Sequence, residues 1–157
     1  VTTPTPTPAG EPLSENDIAA LGVALEAEHA AVYSYGLITA YGNASRRDQV
    51  AVHAAAHRAR RDATAAMLAA GGAVVPAAAA GYTVPFPVTD PASAAQLAVT
   101  VEEDAATAWR SALEHADSEP VRGIAIDNLT DSAVRAGNWR IALGVTPPTT
   151  PFPGQPV

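Results

Sequence analysis

The sequence predicts an all-α fold: a four-helix bundle made of two antiparallel helix hairpins joined by a long crossover connector. Three observations lead there. Four stretches, near residues 15–41, 45–71, 91–116 and 120–144, repeat apolar side chains at the spacing of an amphipathic helix. The links at 42–44 and 117–119 are short, which suits antiparallel neighbours, whereas about twenty residues from Gly72 to Pro91 separate the second and third stretches. Finally, the 157 residues are 48% hydrophobic but only 5% aromatic, so one Ala-rich core must gain its density from close helix approach.

Residues 1–13 begin by alternating Thr and Pro, a composition that favours extended polyproline-like backbone and has nothing to bury; it reads as a disordered tail. The bundle then occupies residues 14–144. Helix 1 opens at Ser14 with Asp17 three residues later, a near match to a capping box, and stops at Gly42-Asn43. Helix 2 opens near Ser45, with Asp48 three residues on, and stops at Gly71-Gly72. The connector, about 72–91, holds too many prolines for a helix and too little alternation for a strand. At about 3.3 Å per extended residue it can run the length of a helix rising about 1.5 Å per residue. Helix 3 opens at Asp90-Pro91, a cap followed by Pro at the first helical position, and helix 4 follows Ser118-Glu119-Pro120 and ends at Gly144. Residues 145–157 form a second Pro-rich tail, whose Phe152 is able to fold back onto the bundle.

Bulk chemistry narrows the function. With no Cys there are no disulfides, thiolate ligands or Cys nucleophiles, and with no Lys there is no Schiff base or P-loop lysine. A formal net charge of -7 disfavours nucleic acid and anionic membranes as partners. Helix 2 dissents, carrying Arg46, Arg47, Arg58, Arg60 and Arg61 against Asp48; pairing with acidic neighbours and solvent is the ordinary reading, and a docking face for an acidic partner the sharper one. No run of 18 apolar residues is present, so no membrane span is expected. The start does not read as a signal peptide, which points to the cytoplasm, with an exported form that has lost a leader as the other option. No Gly-x-Ser-x-Gly, P-loop or dinucleotide fingerprint occurs.

Each of the first three helices places an ionisable group on or beside its apolar stripe: Glu28, His57 and Glu102. In the series Leu21, Leu25, Glu28, Val32, Tyr35 a carboxylate stands where the seam wants hydrocarbon, and something inside the bundle must answer it. Helix rise sets Glu28 and His57 at nearly equal heights above the first turn, and the crossover brings Glu102 to the same level. Trp109 and Trp139 supply bulk to the core; Tyr33, Tyr35 and Tyr41 read ordinarily as helix-edge residues with their hydroxyls in water, and on the sharper reading as hydrogen-bonding or redox groups near a metal.

Two hairpins and one crossover make the ferritin-like topology. The run Glu28-His29-Ala30-Ala31-Val32-Tyr33, the pair His57-Arg58 followed by Arg61-Asp62, and Trp139-Arg140 before Leu143-Gly144 resemble an uncharacterised ferritin-like family of actinobacterial genomes, over residues 14–144. That resemblance implies a di-metal site with one Glu on helices 1 and 3 and Glu-x-x-His on helices 2 and 4. Glu28 and Glu102 match, as does His57, but Ala54 stands at the helix 2 Glu position and Val134 at the helix 4 His position. Asp131 aligns with the helix 4 carboxylate yet lies on a polar face with Asp127 and Asn138. The set is therefore degenerate. His53, His57 and Glu28, with Glu102, remain candidate ligands for iron, manganese or zinc, a metal-binding reading that carries possible oxidoreductase activity. The alternative pairs Glu28 with Arg61 or His57, and Glu102 with Arg135 or Arg58, in a structural ion-pair cluster. On that alternative the bundle is a non-enzymatic interaction or assembly protein, with no cofactor assigned. Helix 3 carries apolar side chains on two faces, Leu97, Val101, Ala105, Ala108 and Val99, Ala106, Trp109, Leu113, so a homo-oligomer or a protein partner is expected to cover one of them.

Overall fold

The computed structural model describes residues 12–155. The reading of residues 1–11 and 156–157 as tail lies outside the described residues. Four long helices account for the architecture: α1 (Glu15–Tyr41), α2 (Arg47–Ala70), α3 (Pro91–His115) and α4 (Glu119–Ala142), and the described residues contain no strand.

Local chemistry sets the helix starts. Ser14 caps α1 in a full capping box: its hydroxyl accepts the Asp17 N–H while the Asp17 carboxylate faces the Ser14 N–H. Asp90 and Ser93 make the same reciprocal pair at α3, with Pro91 in the first turn. The second helix begins later than its Ser45 signal suggests. Asn43 caps a single 3-10 turn, Ala44–Arg46, and α2 proper starts at Arg47 with no side-chain cap of its own.

Asp17 has a further role. Its Oδ1 accepts the backbone N–H groups of Asp117 (2.9 Å) and Ser118 (3.1 Å), which fastens the start of α1 to the α3–α4 turn. Leu13 lies against Gly71 at the end of α2. The start of α1, the end of α2, the end of α3 and the start of α4 therefore share one end of the bundle. Leu21, Leu25, Leu68, Trp109 and Val121 fill an apolar cluster toward it, and Tyr35, Ile38, Val50, Leu97 and Trp139 fill another toward the opposite end. The connector touches both: Val75 packs on the first cluster, and Val84, Phe86 and Val88 pack on the second.

Much of both apolar faces of helix 3 is covered within the chain: Leu97, Val101, Ala105 and Ala108 are buried, as are Ala106 and Trp109, while Val99 and Leu113 are half-buried. The large apolar groups left in water lie elsewhere, several of them on α4, where Ile126, Val134 and Ile141 are exposed. The buried face of α4 runs through Val121, Ala125, Ser132, Ala136 and Trp139. Of the expected Leu129, Ala133, Ala136, Leu143 stripe only Ala136 is fully buried, and Ser132 faces inward, accepting a hydrogen bond from Arg60.

Candidate functional site

Between the two apolar clusters lies a polar layer. Glu28, His57 and Glu102 have no solvent exposure at all, and Tyr35 is nearly as deeply buried. Each sits on a long, well-packed helix, so the layer is held rigidly from three sides.

His57 is the hub. Its Nδ1 lies 2.7 Å from Glu28 Oε2 and its Nε2 lies 3.2 Å from Glu102 Oε1. An imidazole can satisfy two carboxylates at once only when both ring nitrogens carry protons, that is, as the imidazolium. Burial works against that charge, but the hydrogen bonds His57 donates to both carboxylates, together with their negative charges, outweigh it and raise the His57 pKa above 6.5. Glu28 is completed by Trp109, whose Nε1–H donates to Oε1 at 2.7 Å. Glu102 Oε1 also accepts the Tyr35 hydroxyl at 2.6 Å. Burial alone would push the Glu102 pKa up; the bond and charge of His57, the Tyr35 hydroxyl and the positive charge of Arg135 bring it below 4.5. The Tyr35 pKa moves up, from burial and then from the Glu102 charge beside it.

His53 does not join this charge system. Trp139 Nε1–H is shared between Tyr35 Oη and His53 Nδ1, 3.2 Å from each, so Nδ1 is an acceptor and the ring is neutral. Burial lowers the His53 pKa to about 4, even though Glu102 lies 3.8 Å away and pulls the other way. Arg60 closes the layer toward α4. Its guanidinium lies 3.8 Å from Glu28 Oε1 and donates to Ser132 Oγ (2.9 Å) and Asp131 Oδ2 (3.2 Å).

The expected central residues thus meet, with different partners in part. Glu28 pairs with His57, whereas Arg61 turns to Asp62. Glu102 bonds to His57 and Tyr35 rather than to Arg135 or Arg58; the nearest carboxylate to Arg135 is Asp131, at 3.7 Å. Asp131 is largely exposed and touches the layer only through Arg60. Tyr33 and Tyr41 are exposed, as the helix-edge reading has it, whereas the Tyr35 hydroxyl is in the core with a hydrogen-bonding role. Sequence reasoning missed Arg60 and the donor roles of Trp109 and Trp139. Arg60 had a legible signal: it follows His57 by one helical turn and so shares its face.

As a metal cage the layer fits poorly. The two nitrogens of His57 point to opposite sides of its ring, each at a different carboxylate, so Glu28, His57 and Glu102 cannot converge on one ion in this arrangement. Among the described residues, no group of three or more His, Cys, Asp or Glu side chains is placed to hold a metal. One acceptor stays open: Glu102 Oε2 is buried without a hydrogen-bond partner.

A family model, Domain of unknown function (DUF4439), matches residues 20–157. The crystal structure of a conserved hypothetical protein, rv2844, from Mycobacterium tuberculosis is similar to the chain, with 46% identity, a TM-score of 0.80, and coverage of 88% of this chain and 97% of that one. No curated protein matches.

Proposed function

Because the chain belongs to the family of the DUF4439 domain, we propose that it is a ferritin-like bundle whose di-metal centre has been replaced by an organic one, an imidazolium between two carboxylates. The ferritin-like assignment is supported by the ends that meet in the bundle and by a connector that contacts both of its apolar clusters. On this reading the protein works by interaction or assembly and not by metal-based catalysis.

The observation that carries the proposal is the double engagement of His57. Two buried carboxylates without a cation would be severely penalised, and His57, with Arg60 nearby, supplies positive charge where a metal ion otherwise would. The layer then holds helices together and fixes their register.

The rival reading, binding of iron, manganese or zinc by Glu28, His53, His57 and Glu102 with oxidoreductase activity, has the open Glu102 Oε2 in its favour. Elemental analysis of untagged protein, purified without chelators and then incubated with Fe(II), Mn(II) and Zn(II), separates the two. The expected result is no stoichiometric metal, together with a loss of about 3 to 5 kcal/mol of stability in Glu28→Ala. A stoichiometric metal that disappears in Glu28→Ala or His57→Ala would overturn the proposal in favour of the metalloprotein.

A further inference from the structure

Beyond the polar layer, the outer face formed by α3, α4 and the C-terminal segment is built in an unusual way. After Gly144 the chain folds back along the two helices. Arg140 Nη1 donates to Pro148 O at 3.1 Å, and Arg110 Nη1 makes long contacts to Phe152 O (3.5 Å) and Pro153 O (3.4 Å). Gly154 lies so close to α3 that a Cβ there would stand 2.5 Å from Ala106 O. The segment is thus seated on the bundle, and yet its one aromatic side chain is not. Phe152 is 71% exposed, and its backbone has φ 55°, a left-handed conformation that is strained for a bulky L-residue. A phenylalanine kept in a strained conformation and turned into water gains nothing from the other described residues.

Beside that knob lies a hole. An open cavity of about 350 Å³ is lined by Ile126, Leu129, Ala133 and Val134 of α4 and by Pro153 and Gly154 of the segment; Phe152 is not in its lining but in that of an adjoining cavity, which shares Glu103, Arg140, Thr150 and Gly154 with it. The exposed Ile126, Val134 and Ile141 follow one another at spacings that keep them on one side of α4, so the hole sits in an apolar strip. The charged groups at its rim, Glu103 and Arg140, pair with each other and make no demand on a ligand.

We infer that this face is an interface with a second copy of the chain, in which Phe152 of each protomer enters the α4 cavity of the other. A surface with a knob and a matching hole side by side is complementary to itself under a two-fold rotation, which is the condition for a closed isologous dimer. The cavity is large enough for a phenyl ring. The pairing also gives the left-handed Phe152 a use and covers the apolar strip, whose residues would otherwise form an exposed patch on a small monomer. The inference deepens the assembly half of the proposed function and is independent of the chemistry at His57, so metal content does not bear on it.

Sedimentation equilibrium of the full chain over micromolar to high micromolar concentration tests it. The expected result is a dimer of the 15.9 kDa chain. Phe152→Ala and Val134→Arg, both at exposed positions, should each weaken dimerisation about 30-fold, as expected for loss of an interface anchor, with helical circular dichroism unchanged. A photo-crosslinking phenylalanine analogue at position 152 should join to α4 of the other copy. Three outcomes would overturn the inference: a monomer throughout, a dimer indifferent to both substitutions, or crosslinks to residues 1–11 of the same chain.

Discussion

At the scale of single residues the protein depends on one proton count. His57 holds two protons between Glu28 and Glu102, and its pKa is raised relative to the unfolded chain. Its stabilising contribution is therefore complete below about pH 6.5 and is lost as pH rises through the folded-state value. Glu102 has the opposite sign: lowered in the fold, it contributes above about pH 4.5 and fades as pH falls. His53, neutral in the fold with a pKa of about 4, adds to the acid side, because below about pH 6.5 the unfolded chain takes up a proton that the folded one refuses. Urea unfolding across pH should give greatest stability near neutrality, with an alkaline decline absent in His57→Gln. Tyr35→Phe removes the hydroxyl that answers Glu102 with little change in volume; its expected cost in the same assay is about 1 to 3 kcal/mol. His57→Leu alone strands two buried carboxylates and should cost about 3 to 5 kcal/mol, whereas replacing Glu28, His57 and Glu102 together by Leu should be far milder than the sum of its parts. Equal damage from the triple variant would mean that the layer does more than settle its own charges.

At the scale of elements the fastenings are local and separable. Asp17 caps α1 and accepts two backbone N–H groups from the α3–α4 turn, so it bonds two elements with one carboxylate. Burial would raise its pKa, but these backbone and hydroxyl bonds bring it below 3.8. Asp17→Asn should lower stability by about 1 to 3 kcal/mol, and the deficit should shrink as pH falls through the carboxylate range, where the wild-type bonds weaken too. Gly154→Ala acts on another element: its Cβ has no room above Ala106, so the C-terminal segment should lift and become sensitive to protease while the helices keep their hydrogen-exchange protection. Much of this was legible in the sequence. Ser14, Asp90 and Pro91 announce their helix starts because capping is local chemistry, and Glu28, His57 and Glu102 announce a buried layer because periodicity places them on apolar stripes. What was not legible depends on rotamers and tertiary packing. Whether Glu102 meets Arg135 or Tyr35, or Ser132 turns inward for Arg60, is decided by side chains distant in sequence.

At the scale of the whole molecule, the chain is a four-helix bundle in which two apolar clusters enclose a polar layer. No helix among the described residues is long and apolar enough to cross a membrane. Shared family membership and a related crystal structure locate the fold. The proposed function requires His57 to be a doubly bonded imidazolium standing in for metal. Side-chain nitrogen NMR of His57 at a pH above its ordinary value of 6.5, before and after addition of Fe(II), Mn(II) or Zn(II), reads that state directly. Both ring nitrogens should be protonated and the spectrum indifferent to metal; an unprotonated ring nitrogen that shifts or broadens with stoichiometric metal would contradict the proposed function.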